Sequence, residues 1–234
     1  ISINDTVLEI GPGTGNLTEM ILEKNPKKLF VVEKDELLSK MIIQKFGNKL
    51  TLINKDILNC YDEFKFNSPI KVFGNLPYNI STEILISFLK IKELNKYFDR
   101  FVFLFQKEVA DRILAEENSK EYGRLSILTS WKMEKIKITD VDPKYFYPKP
   151  KVLSSIICLK PKSNYDNLLK SENLEYITNV FFNKRRKMIG KPMKKLFQNY
   201  DQIAKKLDID LKLRPQNLSN SQYFEICKIY EELL

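Results

Sequence analysis

"VLEIGPGTGNLT", residues 7–18, decides the reading of the fold. Val7, Leu8, Glu9 and Ile10 have strand character and run straight into Gly11, Gly13 and Gly15, set at alternate positions, before a helix start at Asn16. Glycine adopts positive φ without steric cost, and a glycine turn at a helix N-terminus lets a ligand lie against backbone N–H groups. The dinucleotide-binding pattern is G-x-G-x-x-G, whereas the spacing here is G-x-G-x-G with the acid Glu9 ahead of it, which leans away from pyrophosphate. A glycine-rich turn is also compatible with a purely structural role, so the surrounding chain has to decide.

Outward from this stretch, short β-branched and aromatic runs alternate with helical patterns, the signature of βαβ units and a mostly parallel sheet. Strands are expected at residues 6–10, 28–33, 50–54, 70–74 and 101–106, with late strands near 135–140 and 154–160 completing seven. Helices are expected at 16–24, 37–46, 81–89 and 107–114, and the run 126–131 reads either as helix or as a strand turn. Beyond Pro161 only helical periodicity is left, for example Leu174, Ile177, Val180 and Phe181. A boundary near residue 162 divides the chain into domains 1–161 and 162–234.

The 234 residues contain no histidine, which excludes Ser-His-Asp hydrolysis, His-paired cysteine nucleophiles and His-containing metal sites. Cys60, Cys158 and Cys227 are odd in number and far apart, so neither a disulfide framework nor a thiolate metal site is expected, and a reducing, cytoplasmic setting fits. No run approaches a membrane span. The formal charge of +9 admits a polyanionic partner or a compositional bias toward lysine. Its distribution says more: Lys184, Arg185, Arg186, Lys187, Lys191, Lys194 and Lys195 crowd one short stretch without an acid. Gly190 and Pro192 are expected to interrupt a helix there. The chain opens on Ile1, without a basic or apolar leader, from which a preceding natural segment is expected to be missing.

Two acids extend the glycine turn into a pocket. Glu33 ends the second strand, where a carboxylate can accept both hydroxyls of a ribose. Asp56 stands at the neighbouring tip, just past the third, able to accept from an adenine amine. After the fourth strand come Asn75, Leu76, Pro77 and Tyr78, on the same rim. "NLPYNIST" (75–82) resembles the motif of ribosomal RNA adenine dimethyltransferases, and "QKEVADR" (106–112), "YGRLS" (122–126), "FYPKPKVLSS" (146–155) and "FFNKRRK" (181–187) match in order, over about three quarters of the chain.

The resemblance implies a class I S-adenosylmethionine-dependent methyltransferase: an α/β fold with a Rossmann-like seven-strand sheet and a small C-terminal helical domain. The closer branch modifies 16S rRNA of the small subunit, giving N6,N6-dimethyladenine. The large-subunit macrolide-resistance type, a DNA adenine methyltransferase and a non-catalytic assembly factor stand as alternatives. On this reading Glu9, Gly11, Gly13, Gly15, Glu33, Asp56 and Asn75 hold the cofactor. Asn75 and the Leu76 carbonyl accept from the target amine, Pro77 stiffens the turn, and Tyr78 and Phe146 sandwich the everted base. Lys184, Arg185, Arg186 and Lys187 contact RNA phosphates, no metal takes part, and the enzyme acts as a monomer. The family's Gly-Gln-Asn-Phe cofactor cover has no match here, so weak cofactor binding is expected.

Overall fold

The computed structural model describes residues 1–64, 66–147 and 149–234. They form two compact units, one from residues 1–110 and 134–163, the other from 111–133 and 164–234. A second seam thus accompanies the one expected near residue 162, because the stretch 111–133 groups with the later helices.

The first unit holds β1 (Thr6–Ile10), α1 (Asn16–Leu22), β2 (Lys28–Val32), α2 (Glu36–Phe46), β3 (Thr51–Ile53), β4 (Ile70–Asn75), α3 (Ser81–Leu89), α4 (Leu94–Tyr97), β5 (Phe98–Gln106), β6 (Met133–Val141) and β7 (Ser154–Pro161). Their order across the sheet is β3-β2-β1-β4-β5-β7-β6. The pairs from β3 through β5 are parallel and β7 runs antiparallel to β5. Val7, Leu8, Val31, Ile70 and Val72 are fully buried, as expected of parallel strands covered on both faces. Asp35 starts α2 by accepting the Leu37 and Leu38 N–H groups at 2.8 and 2.9 Å, an N-cap worth about 1 kcal/mol. Ile42 and Phe46 of that helix then pack with Val7, Ile21, Leu29 and Val31.

β5 begins at Phe98, not at residue 101. Ile70 pairs with Phe98 and Lys71 with Arg100, so Asp99 is the extra residue of a bulge. The charged Asp99-Arg100 pair hides the strand's start from the sequence pattern. Phe88 of α3 meets Phe98 and Phe101 at 5.4 and 5.0 Å, so the bulged end is anchored by aromatic packing.

In the chain, α5 (Lys107–Leu114) leads from the first unit into the second, which holds α6 (Arg124–Lys132), α7 (Ser171–Phe182), α8 (Gly190–Leu196), α9 (Tyr200–Lys206) and α10 (Asn220–Glu232). The ambiguous stretch 126–131 is helical, and buried all round, which explains its lack of periodicity. Gly190 and Pro192 do not break a helix: they open α8, where proline's missing N–H costs nothing because first-turn donors have no helical partner. The interruption lies in the preceding turn. Phe181 and Tyr223 form the centre of this unit, ring centroids 5.3 Å apart, and the Tyr223 hydroxyl donates to the Pro215 carbonyl at 2.8 Å. Cys60, Cys158 and Cys227 are all free.

Candidate active site

Strand register sets the site. Ile10 pairs with Val32 on one side and with Gly74 on the other, and Val32 pairs with Ile53, so β1, β2 and β3 finish level and β4 runs one residue further. Gly11, Glu33, Asn54 and Asn75 each stand one residue beyond that level, on a single edge, the place where open α/β sheets bind ligands. The edge is tied laterally by Gly11 N–H donating to the Val32 carbonyl at 2.9 Å and Glu33 N–H to the Ile53 carbonyl at 3.2 Å.

Gly11, Gly13 and Gly15 have φ of +66°, +55° and +84°, the left-handed region that disfavours side chains. A Cβ on Gly11 or Gly13 would meet open space, so the turn presents bare backbone to its surroundings. Gly15 has a second reason to be glycine: a Cβ there would lie 2.6 Å from Phe46 Cε2 and 3.0 Å from Ile42 Cδ1. It seats α2 against the turn.

Glu9 is 1% exposed, and neither of its carboxylate oxygens has a hydrogen-bond partner among the described residues. Burial pushes its pKa up to about 7, opposed by the neighbouring Thr18 hydroxyl, which itself falls short of hydrogen-bond geometry to any acceptor. Glu9 thus leaves two buried acceptor atoms without a partner immediately ahead of the glycine turn. Glu33 is buried as well, but one carboxylate oxygen accepts the Asp35 N–H at 2.9 Å and its backbone carbonyl accepts Asn54 Nδ2 at 2.8 Å. Asn54 also donates to Ser39 Oγ at 2.9 Å, so an amide and a hydroxyl brace the corner that aims Glu33. Asp56 does not end β3, which stops at Ile53; it caps the short helical turn Ile57–Asn59 by accepting the Leu58 N–H at 3.0 Å, and also accepts the Lys34 ammonium at 2.8 Å, a hydrogen bond that holds its pKa below the ordinary value. Lys34 is 74% exposed, so this pair opens at little cost.

At the fourth strand end the backbone dips sharply. Leu76 is buried, while Asn75 and Pro77 on either side are exposed, so the apolar side chain plugs the turn into the core and the carboxamide projects outward. The plug needs Gly74, whose hypothetical Cβ would fall 2.7 Å from Leu76 Cδ2 and 3.2 Å from the Ile10 carbonyl oxygen. Ile80 N–H closes the turn on the Pro77 carbonyl at 3.1 Å, and Ser81 Oγ donates to the Tyr78 carbonyl at 3.2 Å. The half-buried Tyr78 ring is held at its far end by a 2.6 Å hydrogen bond between its hydroxyl and Ser154 Oγ, at the start of β7. Sequence reasoning placed Gly74 and Ser154 in strands but assigned neither to the site. Phe146 sits half-buried after the short helical turn Pro143–Tyr145; Pro148, within the matched "FYPKPKVLSS", lies outside the described residues.

The four expected RNA contacts divide. Lys184, Arg186 and Lys187 are exposed. Arg185 is half-buried and spends its guanidinium on the backbone carbonyls of Ser119, at 3.4 Å, and Lys120, strapping that loop to the turn after α7. Among the described residues no cluster of three or more His, Cys, Asp or Glu side chains could hold a metal, and no helix is long and apolar enough to cross a membrane.

This sheet, five parallel strands followed by an antiparallel seventh, is that of class I S-adenosylmethionine-dependent methyltransferases. The model of the ribosomal RNA adenine dimethylase family matches residues 1–232, and the chain belongs to that family. Ribosomal RNA small subunit methyltransferase A of Pelagibacter ubique is 51% identical over 98% of this chain and 88% of its own length, and that of Ehrlichia ruminantium is 43% identical over 95% and 85%. Among solved structures, a dimethyladenosine transferase from Plasmodium falciparum shares the fold at a TM-score of 0.75, with 24% identity over 99% of this chain and 92% of that one. The 23S rRNA methyltransferase ErmE does so at 0.68, with 21% identity over 99% and 93%.

Proposed function

We propose that this chain transfers two methyl groups in succession from S-adenosylmethionine to the N6 amine of adenines in 16S rRNA of the small ribosomal subunit, acting as a monomer in the cytoplasm. One observation carries the reading: the exposed Asn75 carboxamide ends β4 and the Tyr78 ring stands in the turn just after it, and β4 is paired to the strand that delivers the open glycine turn. Methyl donor and everted base are thereby assigned to neighbouring strand ends, in the half of the chain up to residue 161. The helical half, 162–234, is assigned to RNA.

The residues present suit the donor. Glu9 keeps two carboxylate oxygens unpartnered for a cationic ligand, and the turn that follows it is bare at Gly11 and Gly13, where a Cβ would meet open space. Glu33 is the acceptor for ribose hydroxyls, and Asp56 becomes the acceptor for the adenine amine once Lys34 swings aside. Bound there, S-adenosylmethionine supplies an electrophilic methyl group on a good leaving group.

The protein's own task is positioning, which can lower a barrier by roughly 7–11 kcal/mol. Asn75 and the Leu76 carbonyl accept the two hydrogens of the target amine and favour the pyramidal geometry in which its lone pair can attack. Leu76, locked in the core, fixes where both acceptors point, and Pro77 fixes φ. Tyr78 stacks the base, worth roughly 1–3 kcal/mol, and Phe146 closes the other face. The methylated amine is strongly acidic and loses its proton to water, so the absence of histidine is no obstacle.

The test is tritium transfer from methyl-labelled S-adenosylmethionine to small subunits prepared from cells lacking the modification, followed by nucleoside mass spectrometry. N6,N6-dimethyladenine in 16S rRNA is expected. Binding of subunits without transfer, or label in 23S rRNA instead, would overturn the proposal.

A further inference from the structure

The second unit contains a cleft of about 280 Å³ between α7 and α8, just below the roughly 300–1,000 Å³ range of small-ligand sites. Tyr176, Asn179 and Asn183 line one wall, on a single stripe of α7 and the turn that follows it. Lys187, Lys191 and Lys195 line the other, with Lys184 at its rim. Val180 and Pro192 add apolar surface, and no acidic side chain lines it. None of the four lysines makes an ion pair among the described residues, while the adjacent Arg185 is committed to Ser119 and Lys120. The basic run therefore holds two kinds of cation, one structural arginine and a ring of free ammonium groups around a partly apolar concavity.

We propose that this cleft takes one nucleotide of an RNA strand, its base against Tyr176 and its flanking phosphates on Lys184, Lys187, Lys191 and Lys195. A bare phosphate site would have no use for an aromatic ring, Val180 and Pro192. A simple solvated basic face would not be concave or free of acids. The Tyr176 ring, 42% exposed, is steadied from behind by Tyr230 at 5.8 Å, so it offers a pre-ordered stacking surface. Asn179 and Asn183, in the same lining, supply amide donors and acceptors of the kind by which unpaired RNA bases are read. The inference rests on the reading of the chain as an RNA-modifying enzyme and adds a strand-holding site to it.

The experiment measures binding of the full chain to a short fluorescein-labelled single-stranded RNA by anisotropy across a salt series, with an abasic strand of equal length and inorganic tripolyphosphate as controls. Circular dichroism checks that each variant is folded. Lys187→Gln with Lys191→Gln should reduce the slope of log K against log salt by about 1.4, at about 0.7 per lost phosphate contact. Lys205→Gln with Lys206→Gln, exposed on α9 outside the cleft, should leave the slope nearly unchanged. Tyr176→Ala should weaken the base-bearing strand roughly 10-fold and the abasic strand hardly at all. An equal slope change from the two lysine pairs, an equal loss on both strands, or competition by tripolyphosphate matching RNA charge for charge would each overturn the proposal. The methyl-transfer assay separates it from the wider reading. Transfer with unchanged KM for subunits in the Lys187/Lys191 variant sinks the cleft alone, whereas no transfer by the unaltered chain sinks the function and leaves the RNA titrations to decide the cleft.

Discussion

Replacing Glu9 with Gln tests whether the carboxylate beneath the glycine turn is held at a cost for the sake of a ligand. The folded chain binds this proton more tightly than an unfolded one: burial raises the pKa from 4.5 to about 7. Below pH 4.5 the group is protonated in both states and contributes no pH dependence. Between 4.5 and 7 the native state holds more protons than the unfolded one, so stability falls as pH rises. Above 7 the loss is complete, and at about 1.4 kcal/mol per tenfold in proton affinity it amounts to about 3 kcal/mol. Glutamine has nearly the same shape and does not titrate. In the absence of ligand, Glu9→Gln is therefore expected to gain about 3 kcal/mol over the unaltered chain between pH 4.5 and 8. Equilibrium urea unfolding at the two pH values measures this, and at an m of about 3 kcal/mol/M the midpoint difference should widen by about 1 M. The signal should be circular dichroism, because the single tryptophan, Trp131, belongs to the other unit. A difference between the two proteins that stays constant from pH 4.5 to 8 would refute the reasoning, since it would mean that Glu9 ionises in the fold as easily as in water.

Asn75→Ala should lower kcat by orders of magnitude while the Kd for S-adenosylmethionine from calorimetry changes little; a near-normal rate would remove Asn75 from the mechanism. Ser154→Ala and Tyr78→Phe each delete the 2.6 Å hydrogen bond that sets the Tyr78 ring, so each should raise KM for subunits several-fold, and the double variant should be no worse than either alone. Independent, additive losses would show that the bond does not position the ring. Gly15→Ala should cost about 2–4 kcal/mol in urea unfolding, because it adds a clash with Phe46 to the strain of positive φ. Gly13→Ala carries only the strain, about 1 kcal/mol, and equal costs would contradict the packing role of Gly15.

Parts of this molecule are written locally and parts are not. The β1–turn–α1 unit is legible because a strand buried on both faces reads as a nearly continuous apolar run, and three alternating glycines mark a turn whose positive φ angles other residues adopt only with strain. The first residues of β5 are illegible because Asp99 and Arg100 break its run, and the bulge that accommodates them depends on pairing with Ile70 and Lys71. The strip 126–131 has no period to read, since every side of α6 is covered. At the site, acids at strand ends stand out from neighbouring apolar residues. Gly74 looks like a weak spot inside a strand until Leu76 and Ile10 are seen closing on it. Ser154 is separated from Tyr78 by 76 residues, and nothing near either betrays the partner. A cluster of cations likewise conceals that Arg185 is occupied with backbone carbonyls.

The polar groups along the strand ends fall into two sets, and the division says where a ligand is needed. Glu33, Asp56 and Tyr78 are satisfied by protein partners, so they are aimed before any ligand arrives. Glu9 and Thr18 are not, and the unliganded fold bears that deficit. A ligand at 100 times its Kd stabilises a protein by about 2.7 kcal/mol, close to the penalty assigned to the ionised Glu9. A cationic ligand group placed against Glu9 would supply the partner the carboxylate lacks, so the chain at neutral pH should recover through its ligand part of what it gives up in the core. It follows that Glu9→Gln should be the more stable protein without S-adenosylmethionine and the less protected one with it, so that the two melting curves approach or cross as donor is added. Parallel curves, rising equally with donor, would show that the carboxylate has no part in holding it.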